Sequence, residues 1–415
     1  MRRYGWGLVL LVVGFAVSTG PVTRSHTPIA SRWNYNEHLF PIFRDNCGAC
    51  HRSGGIAPMS LVTYQDAYPW AQSIREEVLA LRMPPWKAED GFGDFKNGHA
   101  LPAHEMDMIL EWSSGGYPQG PRDKPPEAIT APSGWSLGEP GLTVTMPEPF
   151  VLDAGTSEAT RFFVLPSETA ADRWITGVDI VPGAGAVVRG VGVYVDAGDT
   201  AEGLDATDAG PGFARSDGQP FPTTPPIAVW SPGQQQVPRE SGMAHRFPAG
   251  ADIVIRIHYK KTWITEGESF SDQTQVGLYF RDGDAAAIES ILMTSPTPIE
   301  GRNIMFAHNL EHDVRLLAVF PEIDIEAKDV QVIAVTPDGD RMPMLFLREP
   351  DAAWPTRYWF EVPMDLPGGS EIEIHAALRP GADVTPGASL LGTDSTSPIR
   401  LLVDYASGDL QANDN

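Results

Sequence analysis

The chain has 415 residues, enough for about three domains, and its 41 glycines and 38 prolines favour turns and short strands over long helices. With 54 acidic against 30 basic side chains, its formal net charge of −24 disfavours binding to nucleic acid or to anionic membrane surfaces. Such a charge suits a soluble protein that docks a basic partner, and it equally suits a surface that meets only water.

The N-terminus has the pattern of an export signal. Arg2 and Arg3 precede a nearly uncharged apolar run over 4–17 that is short for a membrane span, and small residues follow it. The sequence therefore predicts a signal peptide over 1–18 and a periplasmic or exported chain with no transmembrane span once the signal is removed. An uncleaved N-terminal anchor is the alternative.

Three segments with helical spacing of apolar residues come next. The first covers 39–43, the second runs over about 66–82 and stops before a Pro-Pro pair, and the third runs over about 102–114. Proline cannot continue a helix, so the second segment must end near Pro84. Together these segments predict a small all-α domain over 33–120.

A short motif, Cys47-Gly48-Ala49-Cys50-His51, follows the first predicted helix and contains both cysteines of the chain. At this spacing the two thiols can bond to the haem vinyl groups while the adjacent imidazole binds iron. A disulfide, a redox dithiol and a partial zinc site are weaker interpretations, because zinc needs further ligands and dithiol motifs occur in βαβ surroundings. The motif predicts one covalent haem c, with Cys47 and Cys50 as thioether residues and His51 as an axial iron ligand.

The second axial ligand should come from further along the chain. Met83 is the preferred candidate, because it lies in a predicted loop between two helices and a thioether raises the haem potential relative to a second histidine. His99 is the main alternative. Met59 is the competing methionine, although its neighbours suggest a packing role. Three further residues are weaker candidates: His104, Met106 and Met108.

Beyond a proline-rich linker at 121–137, the apolar pattern changes to a period of two. Short strands separated by glycine, proline and aspartate predict antiparallel, jelly-roll-like sandwiches at 138–285 and 286–405. A long loop is expected at 197–228 and a disordered tail at 406–415. The clearest predicted strands are 187–195, 253–259, 276–280, 315–320, 330–335 and 372–377.

Residues 33–120 resemble the small c-type cytochrome domain fused to bacterial copper monooxygenase-like proteins. The resemblance rests on the pieces CGACH, GGIAPMSL, TYQDAYPWAQSI, LRMPPW and MILEWSSGGYPQG. In that family the methionine of the MPPW segment is taken as the axial ligand, which implies the same role for Met83.

Residues 138–405 resemble the two-sandwich fold of the copper type II, ascorbate-dependent monooxygenases, such as peptidylglycine hydroxylating monooxygenase and dopamine β-monooxygenase. The resemblance rests on framework pieces that include VVRGVGVYVD, WSPG, FPAGADIVIRIHYKKT and VPMDLPGGSEI. That family holds one copper with three histidines and a second with two histidines and a methionine.

Most of these copper ligands are missing here. The family's His-His pair falls on Arg189-Gly190, and arginine cannot ligate a metal. Its third ligand matches His258, which remains as a remnant copper-site position or a structural strand histidine. The family's His-x-His pair falls on Glu322 and Asp324, and no methionine follows Met364 to supply the thioether. We therefore expect no functional copper.

Other residues offer weaker metal sites. Glu322 and Asp324 point the same way on a predicted strand and suit a hard cation, but surface carboxylates are the more ordinary interpretation. His308 and His312 are four residues apart, which would pair them only on a helix, and their flanks are strand-like.

The sequence favours an electron-transfer cytochrome over an enzyme. The two predicted sandwiches, 138–405, are called the β module. This module would have lost copper and would serve for binding, docking or assembly with redox partner proteins. The alternative is a haem-fed monooxygenase with an atypical metal centre, drawing on ligands such as His245, His308 or Glu322. A third hypothesis is a structural subunit of a membrane electron-transfer complex.

Overall fold

The computed structural model describes residues 30–96, 98, 100–123, 126, 134–214, 221, 224–234, 236–239, 242–384, 389–391 and 397–407. The predicted signal peptide, His99, most of the linker and the end of the predicted tail lie outside the described residues. The described part is mostly β-sheet with a few short helices. None of the helices in these ranges is long and apolar enough to cross a membrane.

The helices are short and nearly all precede the first strand. A π-helix covers Tyr35–Leu39 and a 3-10 helix covers Tyr68–Trp70. The α-helices, α1 to α5, are Phe40–Asn46, Tyr64–Ala67, Ala71–Leu79, Ala103–Ser114 and Thr200–Asp205. The first four α-helices surround one apolar core that includes Tyr35, Phe43 and Trp112.

One helix prediction and one loop prediction need adjustment. The segment predicted as one helix over 66–82 is helical from 64 to 79 but passes through the 3-10 turn, where Pro69 is the second residue. Proline lacks the N–H that a continuous α-helix needs there. The helix predicted at 102–114 is confirmed as α4. The predicted loop at 197–228 contains the short helix α5 and the start of a strand.

Eighteen strands build the rest of the described chain, and all six strands named from the sequence are among them. In chain order, β1 to β18 are Leu142–Thr145, Phe150–Leu152, Glu158–Leu165, Arg173–Val181, Val188–Asp196, Ala228–Trp230, Met243–Phe247, Asp252–Lys260, Phe270–Asp272, Gln275–Arg281, Ala286–Thr294, Asn303–Asn309, Val314–Ile323, Ala327–Val335, Arg341–Arg348, Tyr358–Leu366, Glu371–Leu378 and Ile399–Ser407. The tail predicted from 406 begins too early, because Ala406 is buried within β18.

One large sheet runs through the whole β module. Its order is β1-β10-β4-β7-β11-β18-β13-β16, and two four-stranded sheets, β3-β8-β5-β6 and β12-β17-β14-β15, accompany it, with a small β2-β9 pair. All pairings are antiparallel except that of β7 with β11, where Met243 and Ala244 face Ala286 and Ala287. The two predicted sandwiches are therefore joined through a parallel seam.

Two apolar cores lie between these layers. One includes Val191, Ile255 and Leu278, from β5, β8 and β10. The other includes Val332 and Leu345, from β14 and β15, together with residues of β13 and β18. Inward and outward residues alternate along β17, as in a strand with one buried face, whereas β13 is buried along almost its whole length.

Residues 84–96 leave the helical part and lie along the β module; we call this segment the strap. Glu89 N donates to Phe346 O at 2.9 Å, and Lys96 N donates to Trp359 O at 2.9 Å. The strap thus pairs with the edge strands of two sheets, β15 of one and β16 of the other, although the sequence assigned it to the helical region.

Candidate functional site at Cys47 to His51

The motif forms a single turn directly after α1. Cys50 N and His51 N both donate to Cys47 O, at 3.1 and 2.8 Å. A Cβ on Gly48 would lie 2.7 Å from Arg44 O, so this tight turn requires glycine. As a result the side chains of Cys47, Cys50 and His51 all line one cleft.

The His51 imidazole is fixed by the backbone. Its Nδ1 lies 3.1 Å from Met59 O, and because a carbonyl can only accept, Nδ1 must carry the proton. Nε2 is then the nitrogen with a free lone pair. Burial lowers the pKa of His51, which keeps the ring neutral. A neutral, oriented imidazole with one free nitrogen is the form that binds a metal.

The two thiols have the opposite character to a redox dithiol. Burial raises the pKa of Cys47 to about 12 and that of Cys50 to about 11. The cationic Arg52 and Arg189 counter part of this effect at Cys50. Reactive dithiols have a lowered thiol pKa, so the surroundings disfavour that interpretation.

The cleft has a volume of about 320 Å³ and is largely apolar on the helical side. Phe43, Ile74, Val78 and Ile109 line it there. An apolar cavity with two thiols and one free imidazole nitrogen fits a haem group held at its edge and at its iron.

The far wall of the cleft comes from the β module, which sequence reasoning missed. Arg189, Gly233, Thr262 and Trp354 line it. These residues are at least 138 positions beyond His51, so no local pattern connects them to the motif. The WSPG segment at 230–233, which carries part of the resemblance, is the stretch of sequence that contains Gly233 of this wall.

The two methionine candidates for the second axial ligand lie near His51. Met83 and Met59 both line the cleft. Met59 holds Nδ1 of His51 through its carbonyl, which places its backbone on the side of the ring away from Nε2. Met83 comes from the turn between α3 and the strap. Of the weaker candidates, His104 is exposed on α4, and Met106 lies in a second cleft that also reaches Met83.

Of the positions that the resemblance matches to copper ligands on β5 and β8, Arg189 lines this cleft. A bulge in β5 between Val188 and Gly190 places Gly190 opposite His258 of β8. His258 Nε2 lies 2.8 Å from Glu158 Oε1, and burial lowers the pKa of His258. Arg189 Nε donates to Lys260 O at 3.1 Å while its side chain faces the cleft.

The expectation that Glu322 and Asp324 are surface carboxylates is wrong. Both are buried, and Arg400 Nη2 lies 3.0 Å from Glu322 Oε2 and 2.6 Å from Asp324 Oδ2. Arg400 faces Glu322 across the β13–β18 pair. Its guanidinium takes the place that a hard cation would need.

The remaining histidine candidates are dispersed. His308 and His312 are both exposed, one on β12 and the other in the following turn, so the helical pairing does not form. His245 is buried on β7. Within the part of the chain that the structure describes, no group of three or more His, Cys, Asp or Glu residues is arranged to hold a metal ion.

Comparison with known proteins gives no assignment. No family model matches the chain, and no curated protein matches it. Among solved structures, PNGF-II is 10% identical with a TM-score of 0.25, over 65% of this chain and 66% of that one. A Paenibacillus xanthan lyase is 9% identical with a TM-score of 0.14, over 69% of this chain and 28% of that one. Likenesses this remote carry no argument about fold or function.

Proposed function

We propose that this protein is a c-type cytochrome that transfers single electrons in the periplasm. Cys47 and Cys50 would hold the haem, and His51 and Met83 would bind its iron. The observation that supports this best is the convergence of two partly buried thiols, an imidazole with a free Nε2 and a methionine on one apolar cleft. When bound, the haem supplies reversible exchange of one electron between Fe(II) and Fe(III).

Attachment of the haem would need no oxidant. Each thiol S–H would add across one vinyl C=C, so that sulfur bonds to one carbon and hydrogen to the other. The raised thiol pKa values favour the protonated form of both sulfurs, which is the form that adds to a vinyl group in this balance. The β module retains one matching copper ligand, His258, and we infer that it serves for docking or assembly with a redox partner.

Covalent haem is the first test. The chain is exported in a host that matures c-type cytochromes, denatured and extracted with acidified acetone. We expect the haem mass to stay on the wild-type polypeptide and to be absent from a Cys47→Ser/Cys50→Ser variant. Extraction of all haem from the wild-type chain would overturn the proposal.

A second candidate is a monooxygenase fed by the haem. It is favoured by one observation: Arg189, at the position of a family copper ligand, lines the haem cleft and adjoins the residue opposite His258. Metal analysis after dialysis separates the two functions. We expect iron with substoichiometric copper. Two retained coppers per chain, lost in His258→Ala, would instead support the oxygenase.

A further inference from the structure

The cleft is closed by residues from two distant parts of the chain. We propose that the β module is the second wall of the haem site: its 231–234 loop covers Cys50, and its contact with the strap sets the position of Met83. This inference rests on the proposed function. It assigns Gly233 and Trp86 as positioning residues, because each acts through another residue.

The 231–234 loop passes close to Cys50 at Gly233. A Cβ on Gly233 would lie 3.0 Å from Cys50 Sγ and 3.9 Å from the Ala49 Cβ. Gly233 also has a φ of +82°, which favours glycine. The absence of a side chain therefore leaves room for the sulfur.

This loop is tied down on its other side. Ser231 Oγ donates to Pro355 O at 3.0 Å, and Gln234 Nε2 donates to Pro355 O at 2.8 Å and to Thr356 Oγ1 at 2.9 Å. These contacts anchor the loop to the segment leading into β16. The loop therefore forms a fixed wall over Cys50.

The strap connects Met83 to the start of β16, next to the residues that anchor the loop. Trp86, three residues after Met83, packs edge-on against buried Tyr358 with ring centroids 5.1 Å apart. A Cβ on Gly98 would lie 2.7 Å from the Trp86 ring, so the ring is also close to this glycine. Two prolines separate Met83 from Trp86, and their fixed φ angles limit how far the two residues can move independently. Anchoring Trp86 therefore restricts Met83.

Gly233→Ala tests the loop, with Gly242→Ala as the matched control. Gly242 has the same φ of +82°, but its Cβ would meet only Arg281 Nη1 at 4.0 Å. Both substitutions introduce the same backbone strain, and only the first places a methyl group against Cys50. In the exported protein we expect a lower yield of covalent haem for Gly233→Ala than for Gly242→Ala.

A second readout of the loop needs no haem. In a haem-free Cys47→Ser background, the rate of maleimide reaction reports the covering of Cys50. We expect severalfold faster reaction in Gly233→Ala than in Gly242→Ala, because the methyl group displaces the loop.

Trp86→Leu tests the strap, with Phe92→Leu as its control. Phe92 lies on the same strap and packs on Phe346 at 5.0 Å, but it does not line the cleft. We expect both variants to keep covalent haem. Only Trp86→Leu should weaken the near-infrared iron–sulfur band of the oxidised protein and lower the haem potential. Met83→Ala should abolish the same band and lower the potential further.

The outcomes separate the inference from the function it rests on. If the wild-type chain carries no covalent haem but the two glycine variants differ in maleimide rate as expected, the cytochrome proposal is overturned and the contact between the loop and Cys50 stands. If the wild-type chain carries covalent haem but each variant gives the same result as its control, the second wall is overturned and the cytochrome proposal stands.

Discussion

His245 is a buried histidine between the two halves of the β module, and its surroundings are cationic. It lies on β7, its Nε2 has no hydrogen-bond partner among the described residues, and Arg239 and Arg357 are its charged neighbours. Arg357 Nε in turn donates to Asp404 Oδ2 at 2.6 Å. Burial and then the two guanidinium groups lower the pKa of His245 well below its ordinary value.

This environment predicts an acid-sensitive fold. Above a pH of about 6.5, His245 is neutral in both the folded and the unfolded chain, so it adds nothing to the pH dependence of stability. Below that pH the unfolded chain gains a proton that the folded chain does not. The free energy of unfolding should therefore fall by up to about 1.4 kcal/mol per pH unit from this group. Urea unfolding of His245→Gln between pH 5 and 8 should show a shallower slope than the wild type.

The control for this prediction is His308→Gln, because His308 is exposed on β12. Its slope should match that of the wild type. If His245→Gln and the wild type lose stability in parallel as the pH falls, His245 does not take part in the acid response.

At the scale of elements, the β13–β18 pair carries a buried ionic cluster. Glu322 accepts hydrogen bonds from Arg400, from Ser389 Oγ at 2.6 Å and from the backbone N–H groups of Leu390 and Leu391. The carboxylate thus connects the strand pair to residues 389–391. Arg400 is satisfied by Glu322 and Asp324 together, and these two carboxylates help raise its pKa.

Removing one residue of this buried cluster should lower the free energy of unfolding. Glu322→Ala leaves Arg400 with one carboxylate and the Leu390 N–H without its acceptor, and we expect a loss of about 3–5 kcal/mol in the free energy of unfolding. Asp365→Ala is the control, because Asp365 on β16 is exposed where it pairs with Arg315 of β13, and such surface pairs contribute about 1 kcal/mol or less. Chemical denaturation measures both, and equal losses would contradict a special role for the buried cluster.

The sequence predicted the local pieces of this architecture and missed their long-range partners. Alternation along β8 and β17 was sufficient to identify those strands. Glu322 was misjudged because an inward carboxylate can be recognised only with its partner, and Arg400 lies 78 residues further on. The Cys47–His51 motif could be recognised from its own residues. The wall at Gly233 could not, because it depends on a contact between two segments that are far apart in the sequence.

The whole β module is held together by more than one shared layer. The large sheet passes through both cores, and a cluster with Met243, Leu317 and Trp359 lies across the two halves. A further cluster joins Val229 of β6 to Phe320 of β13. Neither half can unfold without exposing apolar surface on the other.

We therefore expect the β module to unfold as one cooperative unit. Denaturant curves followed by tryptophan fluorescence and by far-ultraviolet circular dichroism should coincide and give a single midpoint. Ala286→Pro removes the N–H that donates to Gly242 O at 2.9 Å and should lower that midpoint. Two separated transitions in the wild-type chain would show that the halves are independent.

The parallel seam between β7 and β11 also limits how this chain can be divided. A cut between residues 285 and 286 would turn two inner strands into free edges, each with a row of unsatisfied main-chain donors and acceptors. Such edges are templates for pairing with another copy of the chain. Fragments made at this boundary should therefore self-associate, and the same seam gives intact chains a route to exchange halves with each other when it opens.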